Sequence, residues 1–299
     1  MLLWLVLLAW MPDANAAIAA GSPASTPAAA PVRIVSLSPH ITELFFAVGA
    51  GDKLVGVDAW SNYPAAASRI ERVGDVFAID IERLLALKPD LVVYWKSGTP
   101  MRQQEQLAKL GLNLLGTEQR HLADIEGALL QFGQIGGHPG LGREAAAQFR
   151  AGRLALQAQY ARRPRLRVFY QVWDRPLYTL TGEHVVNEVL ELCGGANVFA
   201  GLSGLAPVVD LEAVLARNPD VIIVGAAGAE GRRQVRAWDR FANLNAVRSG
   251  HVYAIEPDLL NRMSPRILKG VETLCRTLDQ ARRRAGDAAD APRASTPAR

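Results

Sequence analysis

Two kinds of apolar pattern alternate along this chain. Short apolar runs bounded by breakers read as buried strands: R-I-V-S-L (33–37), L-V-G-V (54–57), L-V-V-Y (91–94), N-L-L-G (113–116), L-R-V-F-Y-Q-V-W (166–173), V-I-I-V (221–224) and H-V-Y-A-I (251–255). Between them, helices are expected over 40–51, 101–110, 122–135, 183–192, 232–242 and 265–283. Residues 141–162 contain few breakers and set Ala145, Phe149, Leu156 and Tyr160 on one face, which predicts a long amphipathic helix. Alternating strands and helices on either side of it predict an α/β protein. Its two Rossmann-like lobes are joined by a single helix, with a ligand cleft between them at the carboxyl ends of the strands. A rigid connector of this kind disfavours wide hinge closure.

The strongest pattern is a near repeat. D-I-E-R-L-L-A-L-K-P-D-L-V-V (80–93) returns 130 positions later as D-L-E-A-V-L-A-R-N-P-D-V-I-I (210–223). Each copy reads as a helix start, two turns, a Pro-Asp stop and a strand. Asp80 and Asp210 are N-cap candidates, because a short acidic side chain can accept from an early helical N–H. Glu82 and Glu212 then fall in the first turn, where the helix dipole favours an anion. One repeat of this length fits two similar lobes rather than a solenoid. The lobes echo each other again at strand, loop and short helix, with T-E-L (42–44) or N-E-V (187–189) at its centre and a glycine stop at Gly49 and Gly51 or at Gly194 and Gly195.

Composition sharpens the boundaries. At 299 residues, 49% of them apolar, the chain can bury two cores of ordinary size. Residues 2–10 form an apolar run too short to span a bilayer, and Ala14-Asn15-Ala16 suits signal-peptidase cleavage. The expected divisions are a signal peptide (1–16), a disordered Ala/Pro/Ser-rich leader (17–32), an N-terminal lobe (33–140), the connecting helix (141–163), a C-terminal lobe (164–284) and a disordered tail (285–299). In an exported chain the only cysteines, Cys193 and Cys275, are expected to pair and to staple the second lobe. A net charge of +4 without a basic element inside the fold argues against nucleic-acid binding.

Catalytic signatures are missing. The five histidines show no metal-ligand spacing, and there is no G-x-S-x-G elbow. The segment G-A-A-G-A-E-G (225–231) has neither phosphate-loop spacing nor a following lysine and reads as a permissive loop. What the loops carry is aromatic: Trp60, Trp95 and Trp173 at strand-to-loop ends, Tyr63 after the second strand and Phe77 just before the first repeat helix. Such a lining suits a large, partly apolar ligand with a polar periphery.

Several segments resemble the periplasmic vitamin B12-binding proteins of ABC importers, within the helical-backbone, class III periplasmic binding proteins. They are R-I-V-S-L-S-P with T-E-L, V-G-V followed by W-S-N-Y-P, the first repeat copy, V-L-E-L-C-G-G-A-N-V-F and S-P-R-I-L. The similarity covers about 33–284, and the N-terminal motifs are shared with haem- and siderophore-binding relatives. The resemblance implies a soluble, monomeric, non-enzymatic periplasmic receptor that needs no cofactor or metal of its own. It would carry cobalamin to a membrane permease, without a histidine–cobalt bond. It places ligand contacts at Trp60 and in the loop 256–263 at Asp258, Leu259, Leu260, Asn261 and Arg262, and permease contacts at Glu82 and Glu212. That loop departs from the family by offering leucines where relatives have aromatics. The competing readings are a haem or ferric-siderophore receptor, for which Arg175 and Arg262 would supply cations, and an exported α/β enzyme.

Overall fold

The computed structural model describes residues 32–290, with side chains up to residue 284. The expected signal peptide (1–16) and the leader up to residue 31 lie outside the described residues, as do residues 291–299.

The first lobe runs β1 (Ile34–Ser36), α1 (Pro39–Ala47), β2 (Leu54–Val57), α2 (Ile81–Ala86), β3 (Leu91–Trp95), α3 (Met101–Ala108), β4 (Leu114–Thr117) and α4 (Leu122–Ile135). Its four strands form a parallel sheet in the order β2-β1-β3-β4. The connector is α5 (Pro139–Tyr160), with proline at the helix start, where its missing N–H costs nothing. The second lobe runs β5 (Leu166–Asp174), β6 (Leu177–Thr179), α6 (Val185–Leu192), β7 (Gly195–Asn197), α7 (Leu211–Arg217), β8 (Val221–Gly225), α8 (Gly228–Ala237), α9 (Asn245–Arg248), β9 (Val252–Ile255), α10 (Pro257–Leu260) and α11 (Ile267–Asp290). Here β5 lies between β8 and an edge shared by β7 and β6; β6 is the only antiparallel strand among the described residues.

The repeat folds as expected, twice. The carboxylate of Asp80 accepts from Arg83 N at 3.0 Å and that of Asp210 from Ala213 N at 2.6 Å, so each caps its helix. Just past each helix the residue before the proline, Lys88 (φ 46°) or Asn218 (φ 42°), adopts left-handed backbone. Asp90 and Asp220 then lock each repeat to the opening strand of its lobe, accepting from Arg33 N (2.7 Å) and Arg167 N (2.9 Å).

One apolar cluster is continuous through the molecule, from Ile34, Phe45 and Phe132 in the first lobe, past Phe149 and Tyr160 of α5, to Tyr170, Leu190, Leu274 and Leu278 in the second. Phe45 and Phe132 stack at 4.5 Å. Cys193, at the end of α6, is bonded to Cys275 in α11, inside the second lobe as expected.

Four expectations are corrected. Gly195 does not only stop a helix but opens β7, because its backbone pairs with Leu166 of β5. Helix α8 begins at Gly228, inside the stretch read as a loop. The final helix continues to Asp290, into the segment assigned to a disordered tail, while 256–263 contains the short helix α10.

Candidate functional site

The loop after β2 is built from beneath. Asp58 is buried; its carboxylate accepts from Ser61 Oγ at 2.5 Å and from Trp60 N at 3.3 Å. Burial pushes the Asp58 carboxyl above the usual carboxylate range, with these bonds working the other way. Arg72 closes the loop from the far side, donating to the carbonyls of Asp58 (2.9 Å) and Ser61 (2.7 Å). With its backbone fixed, the loop presents Trp60 at 64% and Tyr63 at 41% exposure. Apolar surface held out on a braced loop is what a ligand contact requires.

Facing it from the second lobe is the segment between β9 and α11. Arg262 was expected to reach a ligand, but it is buried and its donors are committed. Its guanidinium donates to Glu43 (3.0 Å), to the side-chain oxygen of Asn62 (2.8 Å) and to Trp60 O (3.2 Å), and it is paired with Asp258 at 2.8 Å. Engaged through both terminal nitrogens, this buried guanidinium organises its neighbours. Leu260 is also corrected: it is fully buried in the central cluster, because α10 turns it inward. Asp258 and Leu259 are half-buried, and Asn62 Nδ2 reaches Asp258 at 3.4 Å across the lobes. Asn261 accepts from Tyr170 OH at 2.9 Å; burial raises the Tyr170 phenol beyond its ordinary value.

The structure thus joins Trp60, Tyr63, Asp258 and Arg262 into one wall spanning both lobes. The other aromatics stand apart from this wall, Trp95 and Trp173 near the ends of β3 and β5 and Phe77 on the turn before α2. Trp95 is half-buried, its indole donating to Glu118 at 2.9 Å and its ring edge-on to His40 at 5.3 Å. Phe77, 79% exposed, rides on a tight turn closed by Gly74 (φ 88°), where a Cβ would meet Ala78 O at 2.1 Å. Trp173 is 57% exposed, with its indole N–H on Arg175 O at 3.2 Å.

Two residues that organise this wall carried no functional assignment from the pattern alone. Glu43, at the centre of α1, is 4% exposed and accepts from Arg262, from Ser264 Oγ (2.5 Å) and from Arg266 (2.6 and 2.9 Å). Arg266 also stacks 3.9 Å over the Tyr63 ring. The available signals were T-E-L and S-P-R-I-L, both visible as motifs but 223 residues apart.

His40 and His184, near the starts of α1 and α6, are buried. Desolvation drives His40 down to about 3, aided by the Arg262 charge, and takes His184 down to about 4. Neither therefore carries charge near neutrality. Glu82 and Glu212 are exposed in the first turns of α2 and α7. A separate cavity of about 460 Å³ lies over the second lobe's own core, lined by Gln171, Leu211, Arg233, Arg236, Trp238 and Arg240. Among the described residues no group of three or more His, Cys, Asp or Glu could hold a metal ion, and no helix is long and apolar enough to cross a membrane.

Comparison with known proteins agrees with this geometry. The sequence pattern of the periplasmic binding protein family matches residues 34–259. The vitamin B12-binding protein of Vibrio cholerae serotype O1 is 39% identical over 251 residues, covering 84% of this chain and 90% of that protein. The crystal structure of periplasmic vitamin B12 binding protein BtuF of Vibrio cholerae superposes with a TM-score of 0.78 at 38% identity, covering 84% of this chain and 97% of that one. The periplasmic heme-binding protein RhuT from Roseiflexus sp. RS-1 gives a TM-score of 0.73 at 27% identity, covering 84% and 98%. With the family pattern spanning both lobes and the wall between them, the chain belongs to the periplasmic binding protein family.

Proposed function

We propose that this protein captures cobalamin between its lobes in the periplasm and delivers it to an ABC-type permease without altering it. The observation that carries the reading is the cross-lobe wall. Trp60 and Tyr63 offer ring faces suited to a corrin-sized apolar body, and Asp258 and Asn62 offer polar groups suited to its amide rim. The names of the relatives support the same ligand. Glu82 and Glu212, exposed at matched positions on opposite lobes, form a two-point acidic grip for cationic side chains of the permease. The receptor acts as a monomer, and no step of this role needs a cofactor, a metal or a catalytic residue.

Titration of purified protein with cyanocobalamin, haem and a ferric siderophore tests the ligand. Cobalamin is expected to bind most tightly, and stronger binding of either iron compound overturns the assignment. The Glu82→Ala/Glu212→Ala pair tests delivery. It is expected to bind cobalamin normally while uptake at limiting receptor falls at least ~10-fold, in line with the loss of two charge contacts; undiminished uptake removes the docking role.

A further inference from the structure

The two lobes each place a glutamate at the centre of their first helix, Glu43 in α1 and Glu188 in α6, and each reaches into the other lobe. Glu188 accepts from Leu122 N at 2.8 Å, with His121 at 3.6 Å, so it meets the start of α4, where the helix dipole favours an anion. Glu43 instead lies beneath the wall that carries Trp60, Tyr63 and Asp258. We infer that Glu43 is the positioning residue of the binding site: it sets the wall's shape from inside without touching the ligand. This rests on the cobalamin reading for its ligand but not for its geometry.

The argument is one of connectivity. Both carboxylate oxygens of Glu43 are engaged by second-lobe donors, Arg262, Ser264 and Arg266. Arg262 passes the constraint to the Trp60 carbonyl, to Asn62 and to Asp258. Arg266 passes it to the Tyr63 ring. Each residue expected to touch ligand on this wall is therefore one link from the same buried carboxylate. The side chains of Glu43, Arg262 and Arg266 are 2%, 8% and 17% exposed, so water cannot substitute for a lost partner without rearrangement. A ligand entering such a site finds its contacts already ordered, which lowers the entropic cost of binding.

The mirror residue supplies the control. Glu43→Gln and Glu188→Gln each remove one cross-lobe charge from one first helix. In the unliganded proteins, amide hydrogen exchange is expected to speed over residues 58–63 and 256–266 only in Glu43→Gln. With cyanocobalamin, Glu43→Gln is expected to raise Kd roughly 10- to 100-fold through faster release, as loss of preorganisation does. Glu188→Gln is expected to lower the melting temperature with Kd within about 2-fold of the parent protein, since its cross-lobe partners are Leu122 and His121 and not wall residues. Equal effects of the two variants on exchange in the wall, or unchanged exchange in Glu43→Gln, overturns the inference. Because exchange is read without ligand, a parent protein that fails to bind cyanocobalamin sinks the ligand assignment alone. Should Glu43→Gln not fold, Arg266→Met leaves Arg262 on Glu43 and is expected to speed exchange over 58–63; no change there counts equally against the role.

Discussion

Aligned on their repeats, the two lobes agree where they hold themselves together and differ at the wall where they meet. Capping Asp80 and Asp210, left-handed Lys88 and Asn218, and strand-locking Asp90 and Asp220 occupy matched places and make the same contacts. The differences are additions. The first lobe has the braced Trp60 loop. The second has the β6 strand, the α10 segment with Arg262 and Arg266, and the only disulfide among the described residues. Shared parts satisfy backbone groups that any such unit must satisfy. Two of the unshared parts, the Trp60 loop and the segment carrying Asp258, Arg262 and Arg266, meet at the wall between the lobes, so the wall arises from departures from the repeat.

The largest expected break in that comparison is covalent. The Cys193–Cys275 bond spans 82 residues and joins α6 to α11, with nothing equivalent in the first lobe. Replacing both cysteines by serine is expected to cost about 4–5 kcal/mol on the chain-entropy scale for a loop of this length. Urea unfolding should show that loss. Hydrogen exchange should assign it to α6 and α11 rather than to α1 and α4, and a loss spread evenly over both lobes would contradict the lobe-specific role.

Acid probes a feature the lobes share. His40 and His184 stay neutral in the folded protein down to about 3 and about 4, whereas in the unfolded chain they take a proton near their ordinary value. As pH falls through the unfolded value the unfolded state binds more protons, so stability must fall. Between pH 7 and pH 5 each histidine is expected to remove about 2 kcal/mol. The decline should level off once the folded histidines titrate in turn. Asp58 acts with the opposite sign, holding its proton better when folded, but only toward the ordinary aspartate range. His184→Asn keeps a capping side chain on α6 and should remove about 2 kcal/mol of the pH 7-to-5 decline, to which buried His251 also adds; an unaltered slope would mean that His184 is accessible to protons in the folded state.

What could be read beforehand follows the range of the interactions. Caps, proline stops and α4 from Leu122 to Ile135 depend on neighbours within a few residues, and the local pattern announced them. Strands β6 and β7 have three residues each and exist through pairing with β5, which no local run reveals. Arg262 stands as a ligand contact only through the family resemblance; its burial depends on Glu43, 219 positions away. Leu260 misled for a related reason, since one turn of α10 carries it into the core while leaving Asp258 half-exposed. The fold was legible from periodicity and repeat, but the interior of the site was not, because its key contacts cross the lobes.

The smallest expected effect tests whether the shared parts are interchangeable. Lys88 and Asn218 both precede a proline just past a helix, with φ above 40°. Left-handed backbone costs a lysine more than an asparagine, whose short polar side chain tolerates it. Lys88 is exposed, and the structure gives it no side-chain bond that the substitution would forfeit. Lys88→Asn should therefore stabilise the first lobe by about 0.5–1 kcal/mol. The reverse change, Asn218→Lys, forfeits the left-handed preference and also the bond that Asn218 Oδ1 accepts from Asn245 N at 2.8 Å, which ties α7 to α9. It should cost about 1–2 kcal/mol, the conformational penalty and one neutral hydrogen bond together. Equilibrium urea unfolding of the two variants and of the double swap separates these contributions. The sites lie on different lobes, so the swap should equal the sum of the single changes. A departure from additivity beyond ~0.5 kcal/mol would mean that the helix stops communicate through the shared core, and that the lobes are less independent than their repeated architecture implies.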